Sequence, residues 1–90
     1  MTNTQQAIIT FVNAGLSEET AELFASLAWD APNWSGCPML DITKEQRGNL
    51  TDLKKRGLLS TQKSDGIHYA FFTDEGKALI KSSALAEHIA

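Results

Sequence analysis

The chain has 90 residues, 42% of them hydrophobic and 21% charged, with a formal net charge of −3. That supports one globular core and not two, and it excludes an intrinsically disordered chain. No stretch approaches the roughly 20 apolar residues of a membrane span, and a single cysteine, Cys37, rules out an internal disulfide.

The first expected element is a helix over residues 4–14, with Ala7, Ile8, Phe11 and Val12 along one stripe. Gly15 stops it, because glycine best tolerates the left-handed conformation that ends helices. Ser17 caps a second helix, with Glu18, Glu19 and Glu22 in its first turns, where the helix dipole favours negative charge. Its apolar face is Leu23, Phe24, Leu27 and Ala28, and it fades near Asp30 because Pro32 restricts Ala31. Residues 31–38 read as a loop from their proline, asparagine, serine and glycine content. Met39-Leu40-Asp41-Ile42 fits either a short strand or a packed connector.

Thr43-Lys44-Glu45-Gln46 matches a capping box. The helix it opens runs to about Arg56, and Gly57 ends it. Extended runs over residues 58–63 and 67–73 flank Asp65-Gly66, a pair that tolerates the two positive φ angles of a tight hairpin turn. A two-residue turn sets Lys63 opposite His68, Thr61 opposite Ala70 and Leu59 opposite Phe72 on one face. Ser64 then meets Ile67, Gln62 meets Tyr69 and Ser60 meets Phe71 on the other. Thr73 or Asp74 caps a last helix bearing Ala78, Leu79, Leu85, Ala86 and Ile89. The expected fold class is α+β in one domain of residues 1–90, ordered helix, helix, possible strand, helix, strand, strand, helix.

Charge is concentrated on the third of these helices and the hairpin. Lys44, Arg47, Lys54, Lys55, Arg56 and Lys63 stand against Glu45 and Asp52 in residues 44–63, which is six against two, or +4. Elsewhere Lys77 and Lys81 stand against nine carboxylates, or −7. A basic segment inside an acidic chain points one side at a polyanion. At 100° per residue, Leu50, Leu53 and Gln46 share the inner side of the helix. Lys44, Gly48, Thr51 and Lys55 share the outer side, with Arg47 and Lys54 along one flank. Lysine and arginine neutralise phosphates, while threonine and arginine read base edges, so this face is the candidate contact with double-stranded DNA. Gly48, unfavourable inside a helix, serves either a close approach of another backbone to this face or packing against a neighbouring helix. Lys63 and His68 near the hairpin tip are candidate flanking contacts.

Leu50-Thr51-Asp52-Leu53-Lys54-Lys55-Arg56-Gly57-Leu58-Leu59, a hairpin, and then Phe72-Thr73-Asp74-Glu75-Gly76-Lys77-Ala78-Leu79 resemble the second half of a MarR-type winged helix-turn-helix. The resemblance covers roughly residues 42–80. It implies a winged helix in which the basic helix recognises DNA, the hairpin is the wing, and the protein regulates transcription as a homodimer joined through its terminal helices. Ile9, Leu85 and Ile89 are the apolar residues available for such a dimer. Asn33-Trp34-Ser35-Gly36 followed by residues 43–54 also looks like small phage and mobile-element proteins, a likeness that implies no particular activity. Two features depart from the family pattern. The connection from Asp30 to Thr43 is far longer than the usual three- or four-residue turn, so either a short helix hides within residues 35–42 or the first element is degenerate. The wing tip also lacks arginine.

No zinc-like spacing joins Cys37, His68 and His88, and no glycine-rich phosphate loop follows a strand, so neither a cofactor, a metal nor an enzyme is expected. Trp29 and Trp34 either anchor the core or form a surface for a host or partner protein. That leaves a protein-interaction module as the alternative function. The first six residues lack the basic flank and apolar run of a signal peptide, so the expected setting is the cytoplasm.

Overall fold

A computed structural model describes residues 2–31 and 43–87 and the backbone of residues 37–38. Its elements are α1 (Asn3–Asn13), α2 (Glu18–Asp30), β1 (Cys37–Pro38), α3 (Lys44–Lys55), β2 (Leu59–Ser64), β3 (Ile67–Phe72) and α4 (Asp74–Lys81). The class is α+β: among the described residues there are four helices and a small antiparallel sheet of order β1-β3-β2.

Helix ends follow from local hydrogen bonding. Thr2 and Gln5 close a capping box ahead of α1, at 3.1 and 2.9 Å, which starts the helix one residue before the apolar pattern does. Ser17 caps α2 and Thr43 caps α3, the latter reciprocally with Gln46. The helices α1 and α3 end on the same device. Leu16 donates its N–H to the Phe11 carbonyl and Leu58 donates to that of Leu53, each six residues back counting inclusively, at 3.2 and 3.0 Å. The reversal needs a left-handed residue, supplied by Gly15 (φ 108°) and Gly57 (φ 74°).

Ala7 and Phe11 of α1 pack on α2, with the Phe11 and Phe24 rings edge-on at 4.9 Å and Phe24 in turn 6.0 Å from Phe72 of the sheet. Leu53, Ile80 and Leu85 complete the core, all fully buried. The hairpin register is the one read from the two-residue turn, from Leu59 opposite Phe72 to Ser64 opposite Ile67, with positive φ at Asp65 (52°) and Gly66 (81°). Leu59, Ala70 and Phe72 therefore face the helices together, as the twofold alternation of strands requires.

A latch ties the end of α3, the base of the hairpin and the start of α4. Thr73 donates its N–H to the Leu58 carbonyl at 3.2 Å and its hydroxyl to the Gly57 carbonyl, while the same hydroxyl oxygen accepts the Gly76 N–H at 3.0 Å and so caps α4. Gly76 lies so close to Leu58 that a Cβ there would sit 2.1 Å from its carbonyl oxygen. Gly57, Leu58, Thr73 and Gly76 are therefore joined by a structural contact.

Several expectations are corrected. Val12 is 40% exposed: α2 covers the Ala7–Phe11 side, and one residue further round the helix is already outside. Leu50 is only half-buried at the margin of the core, unlike Leu53. The third strand lies at Cys37–Pro38, inside the stretch read as loop, pairing with Ala70 and Tyr69. Residues 37–38 are therefore strand and not part of the short helix expected within 35–42; the remainder of that span, Met39–Ile42 included, lies outside the described residues. The last helix stops at Lys81. Ser82 and Ser83 turn their hydroxyls back on the carbonyls of Leu79 and Ile80, at 2.7 and 2.6 Å, and the Ser83 oxygen then accepts the Leu85 N–H, so serine side chains replace the helix ladder. Ala78 faces solvent, Ile80 takes the core position, and Leu85 is buried from a turn rather than offered on an outer helix face. Ile89 lies outside the described residues.

Candidate nucleic-acid interface

The face of α3 turned away from the core follows from Leu53 being held at its centre on the other side. With Leu53 fully buried and Gln46, Asn49 and Leu50 partly buried, Lys44, Arg47, Gly48, Thr51, Lys54 and Lys55 are all exposed. The hydrogen bond from Thr20 to Asn49, 3.4 Å between the hydroxyl and Oδ1, fixes α3 against the first turn of α2. Thr20 is itself held by Ser17, whose hydroxyl donates to it at 3.0 Å, and is 2% exposed. Nothing local in the sequence announces this pair, because its partners are 29 residues apart.

The charges on α3 are sorted by angle. Arg47 and Lys54 flank one side of the Lys44–Lys55 line, and the two carboxylates of the segment, Glu45 and Asp52, lie on the other. Asp52 is engaged by Arg56 one turn on, Nε to Oδ2 at 3.0 Å. Arg56, counted with the basic window, is thus locally neutralised. Lys44, Arg47, Lys54 and Lys55 have no ion pair with another described residue, so four positive charges stand on one face undiluted. Thr51 donates its hydroxyl to the Arg47 carbonyl at 3.0 Å, which orients the side chain and leaves its oxygen as an acceptor. Gly48 packs against no other described element: apart from its chain neighbours and its own helix backbone, no described atom lies within 4 Å of where its Cβ would be. The reading that it serves a neighbouring helix of this chain is overturned for the described residues.

The hairpin brings Lys63 and His68 opposite one another, both exposed. Asp65, at the turn between them in sequence, is exposed as well. Trp29 is 48% exposed on α2 rather than anchoring the core; Trp34 and His88 lie outside the described residues. The depression lined by Ala14, Leu16, Arg56, Leu58 and Leu79, about 360 Å³, brings together no nucleophile and base. Among the described residues no cluster of histidine, cysteine and carboxylate side chains could hold a metal, and no helix is long and apolar enough to cross a membrane. Comparison with known family models, curated proteins and solved structures finds no match to this chain.

Proposed function

We propose that this is a small winged-helix DNA-binding protein acting in transcription regulation, with α3 as recognition helix and the β2–β3 hairpin as wing. The observation that carries the reading is the face of α3, on which Lys44, Arg47, Lys54 and Lys55 are exposed and without ion pairs to other described residues, with the segment's carboxylates turned aside. A solvated helix face ordinarily mixes both signs for mutual pairing. A single-sign face is suited to the phosphates of a duplex, with Arg47 and Thr51 within reach of base edges. The latch supports the wing assignment, since it holds the base of the hairpin at the end of α3. The long connection between α2 and α3, with β1 inside it, makes the first half of the motif unlike an ordinary helix-turn-helix.

Titration of a random-sequence duplex at several salt concentrations tests the reading. Replacing Lys44, Lys54 or Lys55 singly weakens binding to every sequence and lowers the salt slope by about one unit each, because each phosphate contact releases counterion. Arg47→Ala or Thr51→Ala changes sequence preference instead, by about 1–3 kcal/mol for a good base contact. Absence of binding at about 50 mM salt, where phosphate contacts are strongest, overturns the proposal.

A second reading, a winged helix that engages a partner protein, has its own observation in Trp29 and in Ile9 and Val12, all 40% or more exposed and carried by α2 and α1 rather than α3. Under it Trp29→Ala impairs partner capture and the lysine substitutions do not. Ile9 and Val12 also offer a surface to a second copy, as the homodimer proposal requires, although Leu85 no longer contributes to it. A monomer in sedimentation at tens of micromolar removes that proposal.

A further inference from the structure

A glycine in the interior of a helix costs about 1 kcal/mol relative to alanine, and Gly48 has no evident return for that cost within the described molecule. It does not have a positive φ, so alanine would fit its backbone without strain. It is exposed, and no described atom stands where a Cβ would go. On its own side of the helix stand Lys44 one turn before, Thr51 one turn after and Lys55 two turns after, all exposed, with Glu45 and Asp52 on the flank away from Arg47 and Lys54. Lys44 and Lys55 are ~16 Å apart along the axis at ~1.5 Å per residue, with only Gly48 and the short side chain of Thr51 between them on that side. A face with positive ends and a gap between complements a ridged polyanion, with phosphates at the rims and a groove in the middle.

We infer that Gly48 is the point of closest approach between α3 and a bound B-form DNA duplex, with Lys44 and Lys55 reaching phosphates to either side. This inference rests on the DNA-binding reading above and adds to it a duplex class and a steric determinant. The B-form major groove, about 12 Å wide, admits a helix, and each added atom at position 48 holds the backbone off the groove floor. The deep, narrow major groove of an A-form duplex does not admit the helix at all. Stability and binding are therefore opposed at this one residue.

Gly48→Ala and Gly48→Gln separate the two, measured by chemical denaturation and by titration of a labelled random-sequence DNA duplex and an RNA duplex of matching sequence. Gly48→Ala shifts the folding equilibrium about fivefold toward the native state, which is the helix-propensity difference expressed as a ratio. Its affinity for the DNA duplex falls at least tenfold, Gly48→Gln loses more, and the weaker binding to RNA changes less than twofold. If Gly48→Ala is more stable and binds DNA within twofold of the wild type, while the lysine variants still weaken binding, the inference is overturned and the DNA-binding reading stands. An equal loss on DNA and RNA overturns the groove assignment. A wild-type protein that binds no DNA overturns both readings.

Discussion

Two helical glycines, Gly48 inside α3 and Gly76 in the first turn of α4, are unlike in everything but identity. At Gly76 a Cβ would lie 2.1 Å from the Leu58 carbonyl oxygen, so the residue is demanded by the protein's own backbone. At Gly48 the same Cβ meets no described atom. The surroundings differ in the same way. Gly76 belongs to a latch whose hydrogen bonds run among Gly57, Leu58 and Thr73, whereas Gly48 lies between Lys44 and Lys55 on the outer side of α3, neither of which has an ion pair with another described residue. The latch explains its own residues through folding alone. The face of α3 has no comparable internal explanation, and for that reason it is where function is sought.

The comparison breaks first at Leu53, which anchors α3 from the inner side and fixes which face is outward. Leu53→Ala removes a fully buried side chain and costs about 2–5 kcal/mol, enough to unfold many domains of this size. A denaturation midpoint close to that of the wild type would mean α3 is held by something else. Gly76→Ala comes next, at about 3 kcal/mol, the upper end for overpacking, since the obstructing atom is backbone and cannot rotate away. A cost under about 0.5 kcal/mol would dissolve the contrast between the two glycines. Thr73→Ala loses the cap of α4 together with the bond to Gly57, and costs about 1–2 kcal/mol, with Thr73→Ser recovering most of it. Smallest are Lys44→Ala, Lys54→Ala and Lys55→Ala, each within about 0.5 kcal/mol of the wild type in thermal or chemical unfolding. A large loss at any of them would show that the basic face has a structural role after all.

Much of the fold was legible because it is decided locally. The capping box at Thr43 and Gln46, the cap at Ser17, the stops at Gly15 and Gly57 and the register set by Asp65-Gly66 depend on hydrogen bonds a few residues long, and the structure has each of them. The angular sorting of lysines from leucines on α3 was legible for the same reason, since helix geometry alone places them. The misreadings have a common cause. Periodicity carried the last helix through to Ile89, but Ser82 and Ser83 offered the backbone a competing set of bonds and the buried partner became Ile80.

The sequence by itself determined where helices start and stop, how the hairpin pairs, and that one face of α3 is cationic, because these depend on neighbours along the chain. Tertiary structure alone decided that Val12 is left outside while Leu85 is buried, that Thr20 reaches Asn49, and that the packing of the fold requires Gly76, but not Gly48, to be small. These depend on which surfaces meet across the core, and a packed interior settles that by shape and volume among residues far apart in the chain.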